Sequence, residues 1–121
     1  MSLTERLNEL ASDLSKSDEG WVQFVNDHFS YIRDNSPPVT ISLGSMFRYR
    51  YRPEDFMRAF GYDPNITWVM MLINELKTRL EFVDLEEVLI PPIELITELR
   101  SQYDTYLTTV GESEQELLES V

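Results

Sequence analysis

The chain has 121 residues, with 22 acidic and 10 basic side chains and a net charge of −12 at neutral pH. An apolar share of 42% suits one folded domain and excludes general disorder. With no cysteine there are no disulfides or thiolate metal sites, and the single histidine, His28, cannot form a histidine cluster. So acidic a surface repels nucleic-acid phosphate and anionic membranes, and suits either simple solvation or a basic partner.

The N-terminus lacks a basic stretch followed by an apolar one, so no signal peptide is expected. The most apolar run, Ile66 to Ile73, is far shorter than the ~20 residues of a membrane span. The chain is therefore expected to be made, and to stay, in a cytoplasm-like compartment before any assembly.

In chain order, Ser2 and Glu5 form a capping box. Leu3, Leu7, Leu10 and Leu14 then trace the apolar stripe of a first helix. A second helix is expected over Asp18 to Asp34, with Trp21, Phe24, Val25, His28 and Ile32 on one face. It ends at Asn35-Ser36-Pro37-Pro38, since residues before proline avoid the helical region. Val39 to Leu43 alternates apolar and hydroxyl side chains and reads as a strand or an extended arm, with Gly44-Ser45 as a turn.

Phe47-Arg48-Tyr49-Arg50-Tyr51-Arg52 alternates aromatic and arginine, the pattern of a strand with two unlike faces. Pro53 suits the first position of a helix, and Glu54 and Asp55 suit its first turn. Phe56, Ala59 and Phe60 give that helix an apolar face, and Gly61 stops it. Asp63 caps a new helix that begins at Pro64, carries Trp68 and runs apolar to Ile73, just before Asn74. Val88-Leu89-Ile90 reads as a buried strand closed by Pro91-Pro92. A last helix follows, striped by Ile93, Ile96, Leu99, Tyr103 and Leu107 and stopped at Gly111. Beyond it lies a tail with four glutamates and no basic residue.

The expected fold is α+β and mostly helical. A strand–helix–helix–strand core spans 39–92, preceded by a helical pair over 1–38 and followed by a helix over 93–110 and an acidic tail over 111–121. The whole is expected to form one compact domain.

Catalytic equipment is not apparent. No nucleophile elbow, phosphate-binding loop or dinucleotide fingerprint occurs. The acid pairs Asp18-Glu19, Glu54-Asp55 and Glu86-Glu87 are adjacent in sequence, whereas two-carboxylate chemistry needs acids facing each other across a cleft. No metal site, cofactor or enzymatic activity is expected. The best candidate for function is arginine: Arg48, Arg50 and Arg52 should share one strand face with Arg58 nearby, and these are four of the 10 basic residues. They could bind carboxylates of a partner, or a phosphate or sugar acid, or pair internally with Glu54, Asp55 or the acids after position 80. Phe47, Tyr49 and Tyr51 on the opposite face are expected in the core.

The run from Arg52-Pro53-Glu54 through Ala59-Phe60-Gly61-Tyr62-Asp63-Pro64 to Trp68 and Asn74, followed by Leu89-Ile90-Pro91, resembles a known family. It is similar to the baseplate wedge subunit of contractile-tailed bacteriophages that carries a LysM-like segment. The resemblance covers Phe47 to Pro91 and makes Pro53, Phe56, Phe60, Pro64, Trp68 and Asn74 the core motif. Gly61-Tyr62 stands where the family has Tyr-Gly. The resemblance implies a LysM-like core in a structural virion protein, located in the tail baseplate, that joins neighbouring tail subunits and has no catalytic residues. A homo-oligomer is compatible with this, whereas nucleic acid and membrane are not expected partners. An alternative is a LysM-like module for peptidoglycan sugars, with contacts from Arg52-Pro53-Glu54 and from Lys77 to Asp84. A third reading, an acidic mimic of nucleic acid, fits the charge but not the arginine row.

Overall fold

The computed structural model describes residues 14–16 and 18–119, with side chains as far as residue 109. The capping box at Ser2 and the stripe from Leu3 to Leu10 lie outside the described residues.

Asp18 caps the first described helix, α1 (Glu19–Asp27), where its carboxylate accepts from the Gly20 N–H at 2.9 Å. The expected single helix over 18–34 is two, α1 and α2 (Phe29–Asp34), joined at His28. The His28 Nδ1 donates to the Phe24 carbonyl at 2.7 Å, the acceptor that a continuous helix would offer the His28 backbone. The backbone N–H of His28 bonds instead to Val25, three residues back, at 3.0 Å. Beyond α2, the Ser36 hydroxyl and the Asn35 amide take the carbonyls of Ile32 and Tyr31, which satisfies the helix end ahead of the two prolines.

Strands β1 (Pro38–Thr40) and β2 (Glu87–Leu89) form an antiparallel pair in the register Pro38↔Leu89, Val39↔Val88 and Thr40↔Glu87. The flanking bonds, Ile41 N–H to Glu86 at 2.8 Å and Ile90 N–H to Pro37 at 3.1 Å, place Leu89 at a position whose own N–H and C=O face away from β1. Asn74 satisfies both groups: its Nδ2 donates to the Leu89 carbonyl and its Oδ1 accepts from the Leu89 N–H, each at 2.8 Å. One side-chain amide thus stands where a third strand would be. Two strands alone are marginal in water, so this clamp and the helices behind it hold the sheet.

Between the strands lie α3 (Leu43–Tyr49), α4 (Pro53–Ala59), a 3₁₀ turn (Pro64–Ile66), α5 (Thr67–Ile73) and a second 3₁₀ turn (Arg79–Glu81). Several sequence signals act as expected. Pro53 begins α4, Gly61 takes a left-handed φ of 81° just past it, and Asp63 caps the next turn by accepting from the Asn65 N–H at 2.9 Å. The expected strand over Phe47 to Arg52 does not form. Its first half belongs to α3 and its second half is a turn in which Tyr51 adopts a φ of 64°. The first strand is Pro38–Thr40, at the start of the segment read as a strand or extended arm; Gly44-Ser45 lies inside α3 and not in a turn, and three helices separate the strands where two were expected.

The last helix, α6 (Ile93–Glu119), buries Ile96, Leu99 and Tyr103 and continues through Gly111. A glycine inside a helix costs about 1 kcal/mol relative to alanine, which a long helix absorbs. At ~1.5 Å per residue α6 is about 40 Å long.

All these elements share one core. Trp21 of α1 is fully buried against Phe24, Trp68 of α5 and Tyr103 of α6, with ring centroids 5.8–6.3 Å apart. The Leu14 carbonyl accepts from the indole N–H of both tryptophans, at 3.4 Å from Trp21 and 2.9 Å from Trp68. The Arg100 guanidinium lies 5.3 Å from the rings of Trp21 and Tyr103 and reaches Asp104 at 3.2 Å. On the other side of the molecule, Phe56 of α4 packs on Phe82, also fully buried, at 5.4 Å. The architecture is a mostly helical α+β fold around one two-stranded antiparallel sheet.

Tyr103 ties α6 to the start of α1, its hydroxyl donating to Asp18 Oδ2 at 3.2 Å. A Cβ at position 20 would collide with that hydroxyl, so Gly20 is what allows the approach. Burial first, and the Asp18 carboxylate second, push the Tyr103 phenol above its ordinary value of 10.0. The folded chain therefore holds this proton more tightly than the unfolded chain does. Its stabilising effect is complete below about pH 10 and is lost as the pH rises past that value. In circular-dichroism melts between about pH 9 and 11, Tyr103→Phe is expected to lose less stability per pH unit than the parent chain.

Candidate docking surface

Ser42 starts α3, its hydroxyl oxygen accepting from the Ser45 N–H at 3.2 Å. The helical period then sorts the side chains. Met46 faces the core, while Leu43, Phe47 and Arg50, at spacings of four and three, form the outward stripe. Leu43 is 88% exposed and Phe47 69% exposed, so Phe47 is not the core residue its alternation with arginine suggested. Tyr51 is also exposed, and of the three aromatics expected inside only Tyr49 packs on the core. The Arg50 guanidinium stacks on the Phe47 ring, 4.4 Å from its centroid.

The four arginines divide into two pairs. Arg52 and Arg58 converge on Asp55, at 3.7 and 3.2 Å, and Arg52 also donates to the Arg48 carbonyl at 2.6 Å. Arg48 and Arg50 are both exposed and reach no acid within ion-pair distance among the described residues. The arginines do not share one strand face as expected, because α3 and the turn after it point them in different directions. Residues 43 to 50 nonetheless present two large apolar groups beside two uncompensated cations. A shallow groove of about 950 Å³ runs along this helix, walled on its far side by Val83 to Glu86.

The motif residues serve the scaffold. Pro53 and Phe56 are buried in α4. Phe60 is half-exposed but packs on Phe56 at 4.8 Å and on Tyr49 at 6.1 Å. Pro64 leads into α5, Trp68 anchors Leu14, and Asn74 clamps β2. The first turn of α4 and the 3₁₀ turn Arg79–Glu81 meet through Arg79 and Glu54 at 2.7 Å, and the Tyr51 N–H bonds the Phe82 carbonyl at 2.8 Å.

Among the described residues, no group of three His, Asp or Glu side chains is arranged to hold a metal ion, and no helix is long and apolar enough to cross a membrane. The outward role of Leu43 and Phe47 could have been read from Ser42 as a cap followed by helical spacing. The neighbouring arginine alternation masked it.

Comparison of the chain with protein-family models, with curated proteins and with solved structures found no match in any of the three.

Proposed function

We propose that this protein is a structural assembly subunit of a contractile phage tail, of the baseplate wedge type, which joins neighbouring subunits through the outer face of α3. The observation that carries this reading is the set Leu43, Phe47, Arg48 and Arg50: exposed apolar groups next to cations that no acid of the described chain neutralises. Such a combination suits burial against a partner that brings both apolar area and carboxylates. The motif from Arg52 to Pro91 supplies the setting, because a LysM-like core used as a structural brace needs residues that hold strands and helices together. Pro53, Phe56, Trp68 and Asn74 do so here.

Affinity purification of the tagged chain from cells producing tail particles tests this. Tail proteins, identified by mass spectrometry, should be recovered in fixed proportion. Phe47→Asp should abolish that recovery with little change in melting temperature, because the side chain is exposed. Recovery of no tail protein by the parent chain would contradict the proposal.

A second reading, a peptidoglycan-sugar module, draws support from the Arg79–Glu54 pair, which joins the two segments expected to contact sugar, now the first turn of α4 and the 3₁₀ turn Arg79–Glu81. Calorimetry with peptidoglycan fragments decides it, since a chain that gives no heat at millimolar ligand is not such a module.

A further inference from the structure

We infer that the cleft between α5 and the α1–α2 pair binds a small apolar anion, a carboxylate carried on an aliphatic or aromatic body. All residues of α5 but Thr67 are apolar, so this helix needs cover on every side. Val69, Met70 and Ile73 find it in the shared core, where they are buried. Trp68 lies on another stripe with Met71 and Leu72, three and four residues on, and these three are only part-buried. They wall an open cleft of about 710 Å³, whose apolar surface is completed by Val22 of α1, Phe29 of α2 and Leu76. Small-molecule sites occupy about 300–1,000 Å³ and combine apolar walls with a few polar groups. The Trp68 indole N–H donates to the Leu14 carbonyl at 2.9 Å, which fixes this ring in the wall.

The charge around the cleft reverses that of the chain. The sequence has 22 acidic and 10 basic side chains, yet the cleft is lined by Lys16, Lys77 and Arg79 against one acid, Glu75. Lys16 and Lys77 are the only lysines in the sequence. Both are exposed, and neither reaches an acid within ion-pair distance among the described residues, whereas Arg79 is engaged by Glu54 at 2.7 Å. At ~0.1 M salt the Debye length is about 10 Å, so the lysines at the rim govern an anion in the cleft and distant acids do not. An ammonium is a compact charge on a flexible stem, suited to a single carboxylate. A neutral apolar ligand leaves the lysines unused, and a polyanion is repelled by the net charge of −12. A small anion with an apolar body uses both features. The cleft shares no lining residue with the α3 groove, so this site stands independently of the docking role.

Fluorescence titration of the full-length chain with anilinonaphthalene sulfonate, an apolar ring system bearing one anionic group, tests this. The parent should bind one probe saturably, more weakly as salt is raised from about 0.1 to 0.5 M, and octanoate should displace the probe. Lys16→Glu with Lys77→Glu should bind it about tenfold more weakly, and should bind the uncharged analogue phenylnaphthylamine within about twofold of the parent. Arg48→Glu with Arg50→Glu, on the α3 face, should bind both probes as the parent does. All four side chains are exposed, so both variants should melt close to the parent. A parent that binds no probe, or whose probe octanoate at millimolar concentration does not displace, overturns the inference. A lysine variant that binds the sulfonate as well as the parent also overturns it. Loss of binding in the arginine variant alone does so too, and places the anion on α3.

Discussion

Trp21→Ala is expected to destabilise the protein by about 3–5 kcal/mol, the range for deleting a large buried aromatic side chain. Trp21 is fully buried and joins α1, α5 and α6, so its loss leaves a cavity lined by Phe24, Trp68 and Tyr103. It also removes an indole donor to the Leu14 carbonyl and the ring under Arg100. A domain of this size has about 5–15 kcal/mol in all. A loss of this order should therefore appear as a large fall in the urea midpoint with the slope unchanged. The same substitution at Leu43 or Phe47, which are exposed, should change stability by no more than about 0.5 kcal/mol and so barely move that midpoint.

Asn74→Ala, at the C-cap of α5, should cost about 2–3 kcal/mol. The reason is the bidentate bond to Leu89. Removing the amide leaves one N–H and one C=O on the free edge of β2 without partners, and removes a donor to the Met70 carbonyl at 2.7 Å. Asn74→Asp keeps an acceptor for the Leu89 N–H but sets a carboxylate against two carbonyl oxygens, so it should recover little at neutral pH. Amide hydrogen exchange gives the specific readout: the Leu89 N–H should lose its protection in the alanine variant beyond what the global stability change explains.

These two residues mark what the sequence made legible. Asp18, Pro53, Asp63 and the Pro37-Pro38 pair act through local backbone chemistry, and each begins or ends an element where that chemistry requires. Trp68 and Asn74 stood out through the motif, but their tasks depend on Leu14 and Leu89, and spacing along the chain does not reveal such distant partners. Phe82 gave no periodic signal and yet lies fully buried under Phe56.

The misreading of Phe47 to Arg52 has a definite cause. In a six-residue run, alternation is compatible with a strand and also with the end of a helix followed by a turn. The deciding terms lay outside the run. Ser42 caps a helix, Met46 supplies its buried side, and Tyr51 enters the left-handed region, where its N–H meets the Phe82 carbonyl. The strand moved upstream to Pro38–Thr40, where β2 was available as a partner. The candidate docking surface was thus legible in composition, four arginines amid acids, but not in geometry. The helix turned Leu43 and Phe47 outward, and of the four arginines Arg48 and Arg50 reach no acid within ion-pair distance among the described residues.

The central claim is that this face holds the protein in an assembly and contributes nothing to its folding. The most direct measurement is competition: the full-length Phe47→Asp, Arg50→Glu chain and the parent chain, co-produced at equal levels in cells making tail particles, are counted in the purified particles by mass spectrometry. The docking account predicts that the particles contain the parent almost exclusively, while the two free chains melt at closely similar temperatures. Equal incorporation of the two chains would contradict it.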